Sequence, residues 1–230
     1  MEMKNRAFKL SYITILCFFL AGCFRATVDQ VSPSRSLLKI ENYVEQEITN
    51  DEGAPIGSAT IIVGTGSGSI VHHKKNKTYI LTAKHVCQGE VDTIIVLDID
   101  HQKYVTSVHA TSENFDLCIL KSERINKPAL KIASKKPKMG EKVYNVAAPF
   151  GVHEKNMVPH FTGQYCGYSS VMNSDLYSVP AIGGSSGSPI VNEYGEIVGM
   201  IWAGNLRFHH LTLSVTHEQI KNFLDHNLDI

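Results

Sequence analysis

The sequence predicts an all-β protein made of two small antiparallel barrels of similar size and closed by one C-terminal α-helix. Three observations predict it. From about Ile40 onward, short apolar or β-branched runs recur, split by clusters of Gly, Asn, Asp and Lys, the patterning of barrels and sandwiches rather than helices. The lysine-rich, proline-containing stretch 134–140 has the composition of a linker, so it divides the β-rich part into halves at about 39–135 and 140–230. Helix signals are scarce until Thr216, where Gln219 completes a capping box and Ile220, Phe223, Leu224 and Leu228 share one face.

In chain order, β-branched and aromatic enrichment predicts strands at 59–63, 68–72, 78–82, 93–97, 104–110, 117–120, 142–147, 159–165, 197–202 and 211–215. The basic run from His72 to Lys77 reads as a solvated hairpin tip. His209 and His210 are adjacent, so in a strand they point to opposite faces and cannot share a metal ion. No metal site and no cofactor is assigned.

With 43% hydrophobic and 19% charged residues, the 230-residue chain can bury a sizeable core and is too polar to be mostly membrane-embedded. Basic and acidic residues balance at 22 each, so no net field favours nucleic acid, and none is expected as a partner. At the N-terminus, Lys4, Arg6 and Lys9 precede an apolar run over 12–20. That run is shorter than the roughly 20 residues of a spanning helix and has the order of an export signal, placed at 1–22 and excluded from fold reasoning. It ends Leu20-Ala21-Gly22-Cys23, which resembles the lipobox of bacterial lipoproteins. The resemblance implies cleavage before Cys23, lipid attachment to it, and a membrane-anchored protein of the cell envelope, either periplasmic or extracellular. Residues 23–38 then form a tether to a domain at 39–230.

Beyond the signal the cysteines are Cys87, Cys118 and Cys166, an odd number without metal-ligand spacing. Cys87 lies two residues after His85 and Cys118 two after Asp116, so one pair with one free thiol is open if those side chains meet. Buried, unpaired cysteines behaving as small core residues are the preferred reading.

Three segments then stand out: Leu81-Thr82-Ala83-Lys84-His85-Val86, Phe115-Asp116-Leu117-Cys118-Ile119-Leu120-Lys121 and Gly184-Ser185-Ser186-Gly187-Ser188-Pro189. Their order and local motifs resemble the histidine, aspartate and nucleophile motifs of trypsin-like serine proteases, closest to the bacterial Deg/HtrA-type branch. Gly66-Ser67-Gly68, Ala148-Pro149-Phe150-Gly151 and the segment from Asn192 to Gly199 match the same branch, so the resemblance covers about 55–228, with no PDZ-length extension after it. It implies the chymotrypsin-like fold of two six-stranded barrels and a serine endopeptidase acting on polypeptides. His85, Asp116 and Ser186 would form the triad, in the His, Asp, Ser order that separates this family from subtilisins and α/β-hydrolases.

The chemistry explains why these residue types belong together. A serine hydroxyl is a weak nucleophile, so Ser186 needs a neutral imidazole to take its proton, and Asp116 would fix the tautomer of His85. The small residues Gly184, Ser185 and Ser186 let backbone N–H groups face the developing oxyanion, with Gly184 and Ser186 the expected donors. Ser185 and Ser188 depart from the family pattern, standing where an aspartate or asparagine and a second glycine are usual. Without an acid at 185, activation by a freshly cut N-terminus is not expected.

In the family, the pocket for the residue before the scissile bond is lined by segments that are here Val179, Pro180, Ala181, Ile182 and Trp202, Ala203, Gly204. Pro180 replaces the aspartate that trypsin uses for Lys or Arg, so cleavage after small or medium aliphatic residues is expected. Asp92, Asp98 and Asp100 lack the apolar strand that follows Asp116 and are weaker triad candidates. The rival reading is a non-catalytic envelope lipoprotein using the same fold as a binding module.

Overall fold

The computed structural model describes residues 32–204 and 210–228, so the export segment, Cys23 and His209 lie outside them. One helical turn, α1 (Pro33–Ser36), leads into β1 (Leu37–Thr49), β2 (Pro55–Lys74), β3 (Lys77–Thr82), the short helix α2 (Lys84–Cys87), β4 (Thr93–Leu97), β5 (Lys103–Thr111) and β6 (Cys118–Glu123). These strands close a barrel in the order β1-β2-β3-β6-β5-β4. The second barrel comprises β7 (Lys142–Val146), β8 (His160–Ser169), β9 (Ser174–Tyr177), β10 (Pro189–Val191), β11 (Ile197–Gly204) and β12 (Thr212–Val215). Its strands close in the order β10-β11-β12-β9-β8-β7. All pairings within both barrels are antiparallel. The helix α3 (His217–Leu228) ends the described chain.

The expected architecture of two six-stranded barrels and a final helix is therefore present, with differences in the elements. Strand β1 was hidden by its charges. It starts at Leu37, inside the expected tether, because Leu37 and Leu38 are fully buried and pair with Ser69 and Gly68. Its Glu41 is only 5% exposed, a burial made tolerable by Lys39 at 2.8 Å and the Tyr43 hydroxyl, which donates at 2.5 Å. The runs 59–63 and 68–72 are one strand, β2. Strands β9 and β10 are four and three residues long, too short for a period to register.

The second half also begins earlier than the linker composition suggests. Ile132 bridges Ile197, and Ala133 N–H donates to the Ile197 carbonyl at 2.9 Å. Helix α3 opens on the predicted capping box: Thr216 N–H donates to Gln219 Oε1 at 3.0 Å, and Gln219 N–H to Thr216 Oγ1 at 3.3 Å. Its Ile220, Leu224 and Leu228 join the apolar cluster that contains Ile40, Ile80 and Leu117 of the first barrel. The His72–Lys77 run does form a hairpin tip, with Lys75 at φ 54° in the turn between β2 and β3.

The reading of the cysteines needs correction. Cys87 and Cys118 form a disulfide with their Cα atoms 6.5 Å apart, and Cys166 is free and exposed rather than buried. Register is the reason: Thr82 at the end of β3 pairs with Cys118 at the start of β6, which brings the following helix α2, carrying Cys87, over the same strand end.

Candidate active site

The β3–β6 register also brings His85 to Asp116. Beyond the Thr82–Cys118 pair the two chains leave the sheet side by side, so residues just after Thr82 meet residues just before Cys118. Asp116 grips His85 at two points: its Oδ1 accepts the His85 backbone N–H at 2.9 Å, and its Oδ2 accepts from Nδ1 of the ring at 2.6 Å. Lys84 Nζ donates to the Ser112 carbonyl at 2.6 Å and ties α2 to the loop that carries Asp116. Burial pushes the Asp116 carboxyl up, but the ring and backbone hydrogen bonds from His85, its charge, and the Lys84 N–H outweigh this and hold it below the usual carboxylate range. Asp116 is therefore an ionised acceptor at neutral pH. The proton on His85 sits on Nδ1, which leaves Nε2 with a lone pair.

Ser186 lies on the loop before β10, pressed onto β2 at Ser67 and onto the end of β3. Its carbonyl accepts Ser67 N–H at 2.8 Å. Gly187, at φ +85°, is jammed against β2 and β3: a Cβ there would stand 2.1 Å from the Ser67 carbonyl oxygen and 2.9 Å from Ala83 N. Ala83 is two residues from His85, so this close glycine packing sets Gly187 against the segment that leads into His85. The Ser186 hydroxyl makes no hydrogen bond among the described residues.

The turn over 182–185 sets the backbone donors. Ser185 N–H closes it on the Ile182 carbonyl at 2.9 Å, with Gly184 at φ +89°, the conformation that a type II turn demands at its third residue. The Ser185 N–H, one of the three expected to face the oxyanion, is thus engaged inside the turn. The N–H groups of Gly184 and Ser186 have no partner among the described residues. Alanine at 184 has no room, since its Cβ would lie 2.5 Å from the Ala148 carbonyl oxygen.

Ser67 is a residue to which sequence reasoning gave no role. It is fully buried; its hydroxyl donates to the Gly184 carbonyl at 2.7 Å and accepts Ala148 N–H at 2.9 Å. It therefore ties the nucleophile turn to the Ala148–Gly151 segment. Its flanking glycines in an otherwise apolar strand were the only local signal. Ser188, the unusual residue of the motif, is also accounted for, because its hydroxyl accepts from Asn145 Nδ2 at 2.9 Å inside the second barrel.

The expected pocket residues are only partly assembled as a wall. Val179 is fully buried in the core of the second barrel, while Pro180 and Ile182 are exposed. Gly204 lies directly over Ala181, where a Cβ would meet the Ala181 oxygen at 2.9 Å. Ala203 precedes it on β11 and is half-buried. Trp202 lines a cavity of about 200 Å³ with Phe115, Asp116 and Ser174, and its Nε1 donates to Ser174 Oγ at 3.2 Å. Asp92 and Asp98 are engaged elsewhere: Asp92 accepts Glu45 N–H at 2.7 Å, and Asp98 accepts from Asp100 and Gln102 N–H, both at 2.9 Å. Asp100 pairs with Lys127.

Known proteins resemble this chain. A probable periplasmic serine endoprotease, DegP-like, of Marinomonas sp. (strain MWYL1) is 33% identical over 141 residues, covering 59% of this chain and 29% of the relative. One with the same description from Hahella chejuensis (strain KCTC 2396) is 31% identical over 147 residues, with the same coverages of 59% and 29%. The chain thus spans less than a third of the length of these relatives. A crystal structure of the serine endoprotease from Yersinia pestis superposes with a TM-score of 0.69 at 20% identity, covering 88% of this chain and 65% of that one, a likeness of fold. The model of the trypsin-like peptidase domain matches residues 66–200, more than half of the chain and the stretch that holds both barrels' contributions to the site. The chain belongs to the trypsin-like peptidase domain family.

Proposed function

We propose that this chain is a serine endopeptidase that cleaves polypeptides through an acyl-enzyme on Ser186. The observation that carries the reading is the two-point grip of Asp116 on His85, which leaves Nε2 free as a base beside the pinned nucleophile loop. In the reaction, Ser186 Oγ attacks the scissile carbonyl carbon while His85 Nε2 takes its proton. The N–H groups of Gly184 and Ser186 hold the oxyanion, and His85 returns the proton to the leaving amine. Water then attacks the ester by the same route and frees Ser186.

The Ala181–Gly204 contact and the absence of an acid at Pro180 favour small or medium aliphatic side chains before the cut. A fluorophosphonate probe should label Ser186, and a peptide-library digest should be dominated by cuts after Ala, Val or Leu. An unlabelled Ser186 in folded protein would favour the binding-module reading, and cuts mainly after Lys or Arg would refute the pocket assignment.

Export to the cell envelope is part of the same proposal. The relatives from Marinomonas and Hahella are described as periplasmic, and the Cys87–Cys118 disulfide belongs to a protein matured in an oxidising compartment. The finer element is a lipid anchor on Cys23. Replacing Cys23 with serine should move the protein from the detergent-soluble membrane fraction to the soluble one; an unchanged distribution counts against lipidation.

A further inference from the structure

The direction of the Gly184 N–H depends on a hydrogen bond that lies outside the triad motifs. A peptide unit is planar and trans, so the N–H of Gly184 points opposite to the carbonyl of Gly183. That carbonyl accepts the backbone N–H of Phe150 at 2.6 Å. Phe150 therefore sets which way the proposed oxyanion donor faces. If Phe150 moved, the Gly183–Gly184 peptide could rotate and turn its N–H away.

Phe150 is held in a conformation that it would not choose by itself. It has φ 51° and ψ 24°, left-handed for a non-glycine residue, and its side chain is 73% exposed, so packing of the ring does not fix it. Such a residue persists only when its surroundings over-determine it. Two short bonds, Gly151 N–H to the Ala148 carbonyl at 2.9 Å and Val152 N–H to the Pro149 carbonyl at 2.8 Å, shape the turn. The next residue, His153, anchors it.

His153 is 5% exposed, and its ring stacks on His101 of the β4–β5 turn, with centroids 5.3 Å apart and planes 12° from parallel. His101 Nε2 donates to the His153 carbonyl at 2.9 Å. Asn156 N–H adds a bond to the Ile99 carbonyl at 2.8 Å. The turn itself is rigid, since the buried Asp98 accepts two of its N–H groups and lies 3.6 Å from Lys127 Nζ. Neither ring nitrogen of His153 has a partner among the described residues.

We infer that His153, stacked on His101, is a positioning residue that holds Phe150 under the Gly183–Gly184 peptide and so keeps the oxyanion turn in its working form. This rests on the protease reading proposed above. The clamp works with a neutral ring. Burial lowers the His153 imidazole to about 4, His101 and Lys39 add to the shift, and Asp98 opposes it. His101 and Asp98 face it from the β4–β5 turn and Lys39 from β1, where Lys39 is paired with Glu41 at 2.8 Å. Glu154 and Lys155 follow on its own segment. The unfolded chain takes up the proton near 6.5 and the folded one only near 4. Stability from this residue is therefore complete above the first value and falls as pH drops toward the second.

The test compares the full-length protein with His153→Ala and His153→Phe, by peptide cleavage at neutral pH and by unfolding midpoint against pH. With His153→Ala, kcat should fall roughly 10²-fold, the order of one lost oxyanion donor, while KM stays within about threefold. His153→Phe keeps a stacking ring, so its kcat should stay within about threefold of wild type. Its midpoint should also decline less than that of wild type between pH 6.5 and 4. An active wild type whose His153→Ala variant keeps its kcat, or changes KM alone, overturns the inference. So does a His153→Phe variant as impaired as His153→Ala. Should His153→Ala not fold, a His101→Ala variant, which removes the stacking partner, is itself sufficient to overturn it if it keeps the wild-type kcat. A folded wild type that neither cleaves peptides nor takes up a fluorophosphonate ends the protease reading first, a separate result.

Discussion

Replacing Ser186 with alanine should lower peptide turnover by about 10⁴-fold or more, with the unfolding midpoint essentially unchanged, because triad members act as a unit. The hydroxyl makes no hydrogen bond among the described residues, and the loop is fixed by backbone contacts instead: Ser67 N–H to the Ser186 carbonyl at 2.8 Å and Gly187 N–H to the Ile201 carbonyl at 2.7 Å. Removing the hydroxyl therefore removes chemistry and leaves structure. His85→Ala should produce a loss of similar size, and the double variant should be no worse than either single one. Steady-state peptide cleavage by the purified variants reads this directly. Near wild-type turnover in Ser186→Ala would end the assignment, and a double variant showing multiplied losses would mean that the two residues act independently.

The second large effect is on stability. Mutating both Cys87 and Cys118 to alanine should cost about 3–4 kcal/mol, the chain-entropy value for a loop closed across 31 residues. For a domain of this size that is a fall of roughly 6–16 °C in the unfolding midpoint. The bridge joins the helix that carries His85 to the strand that follows Asp116, and both cysteines are buried, at 6% and 0% exposure. Cleavage measured well below the new midpoint should survive in part, because the hydrogen bonds of Asp116 to the His85 ring and backbone do not pass through the bridge. Calorimetry of the oxidised wild type and the double variant checks the first statement. Equal midpoints would mean that the pairing contributes nothing to the folded state.

Much of this protein was legible before folding. Strands such as β3 and β6 announce themselves because β-branched and aliphatic side chains are concentrated there, and the end helix because a capping box and an apolar stripe are local features. His85, Asp116 and Ser186 stand out in the sequence because each sits in a short contiguous motif whose residue types suit the proposed chemistry. Strand β1 was less readable, since the Glu41 that breaks its apolar pattern is paid for by Lys39 and Tyr43 only once the strand is formed.

What the sequence determined by itself was the class of fold and the order of the motifs, both encoded over a few neighbouring residues. Tertiary structure alone decided the rest. Whether Cys87 meets Cys118 depended on the register of β3 with β6. Ser185 N–H is engaged by a turn that closes on Ile182. Ser67, Phe150 and His153 make contacts to residues 117, 33 and 52 positions away, respectively, in the chain. Contacts of that span are set by how sheets close and loops pack, and no local pattern of side chains records them.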